Sequence, residues 1–223
     1  MFYAHDLARI HDEGFGDFAR AAAAELLTRI DPPGRIVELG CGTGISSALF
    51  AAAGFEVIGI DASEAMLDLA RERVPDGTFV QGSVWETELQ SSRAVTAFGE
   101  VLNYADAGSG DLRALLARVH AALEPGGLFL FDVSTPGRGT DTAVLDGEGW
   151  TIRSEAVEDG ARLTRRIAFT ADGRSGEETH TLHLYERDAV AAALADAGFA
   201  VDVLDCYADF KFWPGYAGFA AVS

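Results

Sequence analysis

The chain has 223 residues, of which 48% are hydrophobic, so it is long enough to bury a sizeable core in one α/β domain with an elaboration. Its formal net charge of −18, from 17 basic and 35 acidic residues, disfavours binding to nucleic acid or to anionic membrane surfaces, because both require a basic face. The two cysteines, Cys41 and Cys206, are too few for a disulfide framework, and no Cys/His spacing predicts a metal site.

The residues from about Asp6 to Ile30 predict a helical region. Apolar residues recur at steps of three and four from Phe15 to Ile30, which places them on one helical face. Gly14 and Gly16 divide this pattern into two helices, and Asp-Pro-Pro-Gly at 31–34 ends the second, because proline cannot continue a helix. No basic segment with an apolar core stands at the N-terminus and no apolar stretch reaches membrane-spanning length, so we expect a cytoplasmic location.

A glycine-rich turn follows the first predicted strand, in the run Arg-Ile-Val-Glu-Leu-Gly-Cys-Gly-Thr-Gly at 35–44. Gly40, Gly42 and Gly44 lack Cβ atoms, so the backbone can turn tightly and a ligand can lie against it. Asp61 ends the next predicted strand about 20 residues further on, where an acidic side chain accepts from both ribose hydroxyls of a nucleoside. The pattern therefore predicts a nucleoside-cofactor site.

Spacing separates three classes of cofactor site. A dinucleotide fingerprint requires glycine or alanine three positions after its second glycine, but the two registers place Ile45 and Ser47 there. A phosphate-binding loop requires a lysine after its last glycine, and the only lysine of the chain is Lys211. The remaining pattern, Glu-x-Gly-x-Gly-x-Gly at 38–44, resembles the turn of class I S-adenosylmethionine-dependent methyltransferases.

Strands and helices alternate along the following stretch, as a parallel sheet requires. Near-continuous apolar runs predict strands at 36–39, 57–60, 78–80, 94–98 and 128–133, and helices are predicted at 46–53, 63–73 and 111–123. Ser63 is a candidate helix cap, and Glu-Pro-Gly-Gly at 124–127 ends the third of these helices.

The hydrophobic period changes to two between residues 150 and 185, with turns at 158–160 and 172–173, which predicts an antiparallel meander. A helix at 188–197, capped by Gly198, and strands at 200–207 and 219–222 return the chain to the core. The family resemblance implies an α/β fold with a doubly wound, Rossmann-like, mostly parallel seven-stranded sheet and an antiparallel last strand. The predicted organisation is an N-terminal helical lid at 1–33, a methyltransferase core at 34–137 and 186–223, and an inserted, substrate-covering meander at 138–185.

The resemblance also implies which residues hold S-adenosylmethionine and its product S-adenosylhomocysteine. Glu38 would orient the glycine turn or bind the cofactor's amino group through water. Ser83 stands where the family frequently has an aspartate that accepts from the adenine amino group, and its alternative role is a helix cap. The implied cofactor-binding residues are Phe15, Glu38, Gly40, Cys41, Gly42, Asp61, Ala62, Met66, Ser83, Val84, Phe98 and Gly99.

The segment that leaves the fourth strand is where such enzymes place the transferring methyl group. Its polar residues Glu100, Asn103 and Tyr104 are the predicted catalytic residues, although a packed, capped strand end would equally explain Asn103 and Tyr104. His11, Tyr104 and His180 are the predicted acceptor-binding residues, with a surface or partnered core role as the alternative for the histidines. Four arginines of the meander either pair with glutamates across strands or bind an anionic acceptor: Arg153, Arg162, Arg165 and Arg166.

The predicted function is S-adenosylmethionine-dependent methyl transfer to a small-molecule acceptor. Positioning and desolvation can supply most of the catalysis of this displacement, and a base is needed only where the acceptor loses a proton. A non-catalytic protein that binds the same cofactor is the alternative, and an NAD-dependent oxidoreductase is a weaker one. The acceptor, the attacking atom and the oligomeric state stay open.

Overall fold

The structure is a computed structural model that describes residues 5–14, 16–104 and 111–223. Its helices are α1 (His5–Gly14), α2 (Gly16–Leu27), α3 (Ile45–Ala52), α4 (Glu64–Arg73), α5 (Leu112–Ala122) and α6 (Arg187–Asp196), with a short 3-10 turn at Val101–Asn103. Its longer strands are β1 (Arg35–Leu39), β2 (Glu56–Asp61), β3 (Thr78–Gln81), β4 (Ser92–Ala97), β5 (Leu123–Ser134), β6 (Asp141–Gly147), β7 (Trp150–Asp159), β8 (Arg162–Ala171), β9 (Arg174–His183), β10 (Ala200–Leu204) and β13 (Tyr216–Val222), and a small hairpin joins β11 (Cys206–Tyr207) to β12 (Phe210–Lys211).

The central sheet has seven strands in the order β10-β13-β5-β4-β1-β2-β3. Strands β1 to β5 pair in parallel, and β13 runs antiparallel to both of its neighbours, β5 and β10. The chain reverses its direction of sheet growth between β1 and β4, so the loops after these strands diverge and leave a crevice at their carboxyl ends. The predicted doubly wound sheet with an antiparallel last strand is confirmed.

The five inner strands of this sheet, β13, β5, β4, β1 and β2, are buried on both faces, which explains why they read as apolar runs. Side chains alternate along β1, so Ile36 points into a cluster with α2 and α3 while Val37 points into a cluster with α5 and α6. The two clusters together hold most of the large fully buried side chains, including Phe50 in the first and Phe129 and Phe131 in the second. These layers fix the sheet rigidly and leave its carboxyl edge to carry function.

A second sheet of four antiparallel strands, β6-β7-β8-β9, is the predicted meander. The sequence pattern identified β7, β8 and β9, but β6 had no alternation to read because all of its residues are exposed. The inner face of this sheet carries Trp150, Ile152, Ile167 and Phe169, which form a cluster with Ile10 of α1. The meander is therefore packed against the first N-terminal helix. No helix in the described ranges has the length and apolarity needed to cross a membrane.

Candidate functional site

The glycine turn after β1 has the backbone conformation that the sequence required. Gly40, Gly42 and Gly44 have φ angles of 71°, 53° and 76°, in the left-handed region that favours glycine. The N–H groups of Gly40 and Cys41 donate to the carbonyl of Ile60, at 2.7 and 3.1 Å, and this ties the turn to the end of β2. A Cβ at Gly42 would meet no atom within 4 Å, so this part of the turn presents bare, open backbone.

Glu38 is buried beneath that turn, with 2% of its surface exposed. Its carboxylate accepts from the hydroxyls of Ser46, at 2.6 Å, and Ser47, both in the first turn of α3. Burial raises the pKa of Glu38 to about 7, and the two serine hydrogen bonds oppose that rise. This arrangement supports the first of the two predicted roles, orientation of the turn.

Asp61 lies at the mouth of the crevice, at the carboxyl end of β2. One carboxylate oxygen accepts from the Gly42 N–H and the other from the Ser63 N–H, both at 2.9 Å. Burial raises the pKa of Asp61, while these backbone hydrogen bonds lower it. Beside it, Ala62 is exposed and Met66 is buried at the start of α4, where Ser63 caps the helix as predicted.

The loop after β3 is held from behind by Arg118 of α5. The guanidinium donates to the carbonyls of Val84, at 3.0 Å, and Trp85, whose N–H in turn donates to Ser83 Oγ at 3.2 Å. Ser83 is followed by a turn at 84–86 and not by a helix, so the alternative role of a helix cap is wrong, and its hydroxyl instead accepts within that turn. Ser83 is half-buried, and its adenine-binding role stays a prediction. Arg118 was not among the predicted site residues.

The loop after β4 contains two successive left-handed residues, Gly99 with φ 81° and Glu100 with φ 57°. Both N–H groups donate to the carboxylate of Asp132, at 3.0 and 2.6 Å, so β5 anchors this turn. A Cβ at Gly99 would meet nothing within 4 Å, which leaves a second stretch of bare backbone beside the crevice. Phe98 instead packs its ring on Tyr207, with centroids 5.6 Å apart.

Asp132 is a fully buried carboxylate that the sequence analysis missed. Besides the two backbone groups it accepts from the hydroxyls of Tyr216, at 2.6 Å, and Tyr207, at 3.3 Å. Burial raises the pKa of Asp132 to about 7 against the lowering effect of these donors. A signal was present, because Asp132 is the one charged residue in the apolar run 128–133.

Glu100 is not open to the crevice but forms a buried ion cluster, with 6% of its surface exposed. Arg138, which follows β5, donates to one carboxylate oxygen at 2.9 Å, and Arg165 of the meander donates to the other. The Ser134 hydroxyl donates to the same carboxylate. Burial raises the pKa of Glu100, but the charges of Arg165 and Arg138 outweigh it and hold that pKa below the usual value.

Asn103 is fully buried and uses its amide to join the core to the meander. It donates to the carbonyls of Ser134, at 2.8 Å, and His183, at 2.6 Å, and it accepts from the Ser134 N–H at 2.9 Å. These contacts favour the alternative role of a packed strand end for Asn103. Its catalytic role stays a prediction, with all of these hydrogen bonds directed at the backbone.

Tyr104 and His180, predicted from distant parts of the sequence, lie together. The Tyr104 hydroxyl is 3.4 Å from Nδ1 of His180, and the rings meet edge to face with centroids 5.5 Å apart. His180 Nε2 is 2.9 Å from a carboxylate oxygen of Glu178, two residues earlier on β9. His180 has 2% of its surface exposed, whereas Tyr104 is half-buried.

The first helix lies against the glycine turn through one aspartate. Asp12 accepts from the hydroxyl of Thr43 at 2.5 Å and from Arg73 of α4 at 2.8 Å. Burial by itself raises the pKa of Asp12. The hydrogen bonds from Arg73 and Thr43 lower that pKa by a larger amount, so the pKa lies below its usual value. The adjacent predicted residue His11 is half-buried, and burial lowers its pKa to about 4. Phe15, predicted to bind the cofactor, lies outside the described residues.

Comparison with known proteins identifies the family of this chain. A sequence profile described as a methyltransferase domain matches residues 36–127. A trans-aconitate 2-methyltransferase from Paracidovorax citrulli is 33% identical over 197 residues, which cover 80% of this chain and 73% of the relative. The chain belongs to the methyltransferase family. This confirms the predicted class I S-adenosylmethionine-dependent enzyme, with S-adenosylmethionine as its cofactor.

Other members align with this methyltransferase over nearly its whole length. A dTDP-3-amino-3,4,6-trideoxy-alpha-D-glucopyranose N,N-dimethyltransferase from Streptomyces venezuelae is 28% identical over 206 residues, 85% of this chain and 86% of the relative. Among solved structures, an S-adenosylmethionine-dependent methyltransferase from Clostridium acetobutylicum superposes with a TM-score of 0.81 at 17% identity, covering 96% of both chains, which shows the shared fold.

The described residues fit the cofactor of the methyltransferase family. Gly42 and Gly99 leave open backbone on two sides of the crevice, and the Asp61 carboxylate stands at its mouth as a hydrogen-bond acceptor. When bound there, S-adenosylmethionine supplies an electrophilic methyl group on a sulfonium. The binding roles of the individual residues stay predictions.

Proposed function

We propose that this methyltransferase methylates a small-molecule acceptor that binds beside the loop after β4, beneath the meander and the N-terminal helices. The observation that carries the proposal is the side chain of Arg165, which reaches from the meander into the core to bind Glu100, next to the bare backbone of Gly99. The meander therefore lies over the side of the crevice where the loop after β4 ends. A roof close to this loop suits an acceptor of limited size.

The predicted organisation is part of this proposal: a lid at 1–33, a core at 34–137 and 186–223, and a substrate-covering meander at 138–185. It is supported by the two contacts of α1, which is fastened to the glycine turn through Asp12 and packs on Trp150 of the meander through Ile10. A Cβ at Gly14 would lie 3.3 Å from the Trp150 ring, so the end of this helix also lies close to that ring. Helix α1 thus connects the cofactor side with the acceptor side.

The two arginines near the proposed acceptor site are engaged by a carboxylate, which favours an amine over a polycarboxylate. By their names, one relative above acts on trans-aconitate and the other on an amino sugar, so the family includes both chemistries. Here Arg138 and Arg165 are already bonded to Glu100, and Glu178 adds a second carboxylate on the inner face of the meander. The net charge of −18 also repels a polyanion at long range. The same charge supports the absence of nucleic-acid and membrane partners. The cytoplasmic location stays a prediction.

A thermal-shift comparison tests the cofactor half of the proposal. If S-adenosylhomocysteine binds with a dissociation constant near 10 μM, 1 mM ligand adds about 2.7 kcal/mol of stability. For a domain of this size that is roughly 5–10 °C in melting temperature. NAD should give no shift, and an equal shift with NAD would contradict the methyltransferase site.

Transfer of a labelled methyl group tests the acceptor half. Amino sugars and small primary and secondary amines form one arm of the panel, and trans-aconitate with related polycarboxylates forms the other. We expect label only in the amine arm. Label in the polycarboxylate arm alone would contradict the preference for an amine.

A further inference from the structure

We infer that Tyr104, His180 and Glu178 form a relay that removes a proton from the acceptor during methyl transfer. The inference rests on the proposed function, because it requires the acceptor to bind beside Tyr104. It assigns to Glu178 a role that the sequence did not indicate. It also specifies the acceptor class as amines whose attacking nitrogen carries a hydrogen.

The contacts set the order of the three groups in the relay. An ionised carboxylate can only accept, so Glu178 requires a proton on His180 Nε2, 2.9 Å away. In the neutral imidazole with this tautomer Nδ1 carries no proton, and the Tyr104 hydroxyl, 3.4 Å away, can donate to it. This contact is long for a hydrogen bond and can shorten as charge develops on it. In this arrangement the carboxylate orients the imidazole, and the imidazole accepts the proton of the hydroxyl and becomes charged.

Burial shows which end of the relay receives the proton. The side chain of His180 is 1% exposed and that of Glu178 is 14% exposed, whereas Tyr104 is half-buried at the end of the loop after β4. His180 therefore cannot exchange protons with an acceptor directly. Tyr104 is the group that touches the acceptor, and it is the catalytic residue of the three.

His180 faces two charged groups on the meander and one neutral hydroxyl from the core. Glu178 lies on its own strand, Arg165 is its register partner on β8, and Tyr104 approaches from the core. Arg165 is bonded to Glu100, so the positive charge next to the imidazole is partly neutralised by a carboxylate. An imidazolium formed at His180 is stabilised by Glu178, the carboxylate in direct contact with it.

The step balances in atoms and charge. The lone pair of the acceptor nitrogen forms the bond to the methyl carbon while the methyl–sulfur bond breaks, and that electron pair stays on sulfur. The nitrogen becomes positive and gives its proton to Tyr104 Oη as the Tyr104 proton moves to His180 Nδ1. The products are a methylated neutral amine, a neutral thioether and an imidazolium paired with Glu178. After product release, Tyr104 returns the proton to water.

The tautomer of His180 tests the relay without any acceptor. Protein labelled with 15N-histidine and bound to S-adenosylhomocysteine is measured by NMR near pH 7, with His180→Gln to assign the signal. We expect the Nε2–H tautomer, and we expect the Nδ1 signal to move in Tyr104→Phe. An Nδ1–H tautomer, or an Nδ1 chemical shift that is the same in wild type and Tyr104→Phe, would overturn the relay even if cofactor binding and turnover are intact.

Kinetics with an amine found by the panel provide the second measurement. Tyr104→Phe should lower kcat roughly 100-fold with unchanged S-adenosylhomocysteine affinity. Glu178→Gln should lower kcat roughly 10-fold with unchanged KM for the amine, because the imidazolium loses the carboxylate that stabilises it. Glu177→Gln is the matched control, since Glu177 pairs with Arg166 on the exposed face of the same strand. Wild-type kcat in both relay variants, or turnover of carboxylates alone, would refute the relay while leaving the methyltransferase itself established.

Discussion

Replacement of Asp132 by asparagine should change how the stability of the protein depends on pH. Asp132 is fully buried, and its pKa is raised from 3.8 to about 7 in the folded protein. Between these two values the unfolded chain has released the proton and the folded chain retains it, so the free energy of unfolding falls as pH rises. This contribution is present below the unfolded pKa and is lost as pH passes through the folded pKa.

The size of the effect follows from the shift. Each pKa unit corresponds to 1.36 kcal/mol, so the free energy of unfolding of wild type should fall by about 3 kcal/mol between pH 5 and pH 8. The variant should not show this fall, because asparagine does not ionise. The Asp132→Asn variant also leaves buried N–H donors at Gly99 or Glu100 without an acceptor oxygen, which destabilises it by about 1–3 kcal/mol at every pH. The variant should therefore be clearly less stable than wild type at pH 5, and the two proteins should have similar stability at pH 8.

Urea unfolding at pH 5, 6, 7 and 8 measures the difference directly. Glu38→Gln serves as a matched comparison, because burial also raises the pKa of Glu38 to about 7. A difference between wild type and Asp132→Asn that is the same at pH 5 and pH 8 would show that Asp132 is ionised throughout. The reasoning that burial dominates its four donors would then be refuted.

Three further predictions concern the cofactor crevice. Asp61→Ala should lower S-adenosylhomocysteine affinity at least tenfold in calorimetry while the fold survives, because up to two charge-assisted hydrogen bonds of about 1.5–3 kcal/mol each are lost; unchanged affinity would place the ribose elsewhere. Gly42→Ala and Gly126→Ala should each lose about 1–2 kcal/mol of stability, since both glycines have positive φ and open space, but only Gly42→Ala should weaken cofactor binding. Asp12→Ala removes the contact with Arg73 and should speed amide exchange in α1, and unaltered exchange there would mean that the helix is held by its apolar contacts alone.

Most of the fold could be predicted from the sequence because its signals are local. Continuous apolar runs indicate strands buried on both faces, and strict alternation indicated the meander strands β7 to β9. Strand β6 gave no signal because it is held by pairing with β7 and buries none of its residues. The prediction of seven strands in a doubly wound sheet came from the family resemblance rather than from periodicity.

The candidate site could be predicted only in part. Backbone requirements at Gly40 and Gly42 leave a trace in the sequence, because few other residues adopt positive φ. Side-chain partnerships such as that of Glu100 with Arg138 leave none, since they depend on how two loops meet. Glu178 and His180 were within reach, because residues two apart on a strand share a face, but their pairing with Tyr104 required the folded chain.

The connectivity of the two sheets has a consequence for the order in which they fold. In the meander, β7 pairs with β8 and β8 with β9 through tight turns, so each hairpin closes a short loop. In the core, Ile36 of β1 must find Ala94 of β4, which lies far away along the chain. Local pairing is kinetically faster, because little chain entropy is lost before contacts form. During refolding, pulse-labelled amides at 150–183 should become protected before those of β1 and β4. The meander would then form before the central sheet that it covers at the acceptor site.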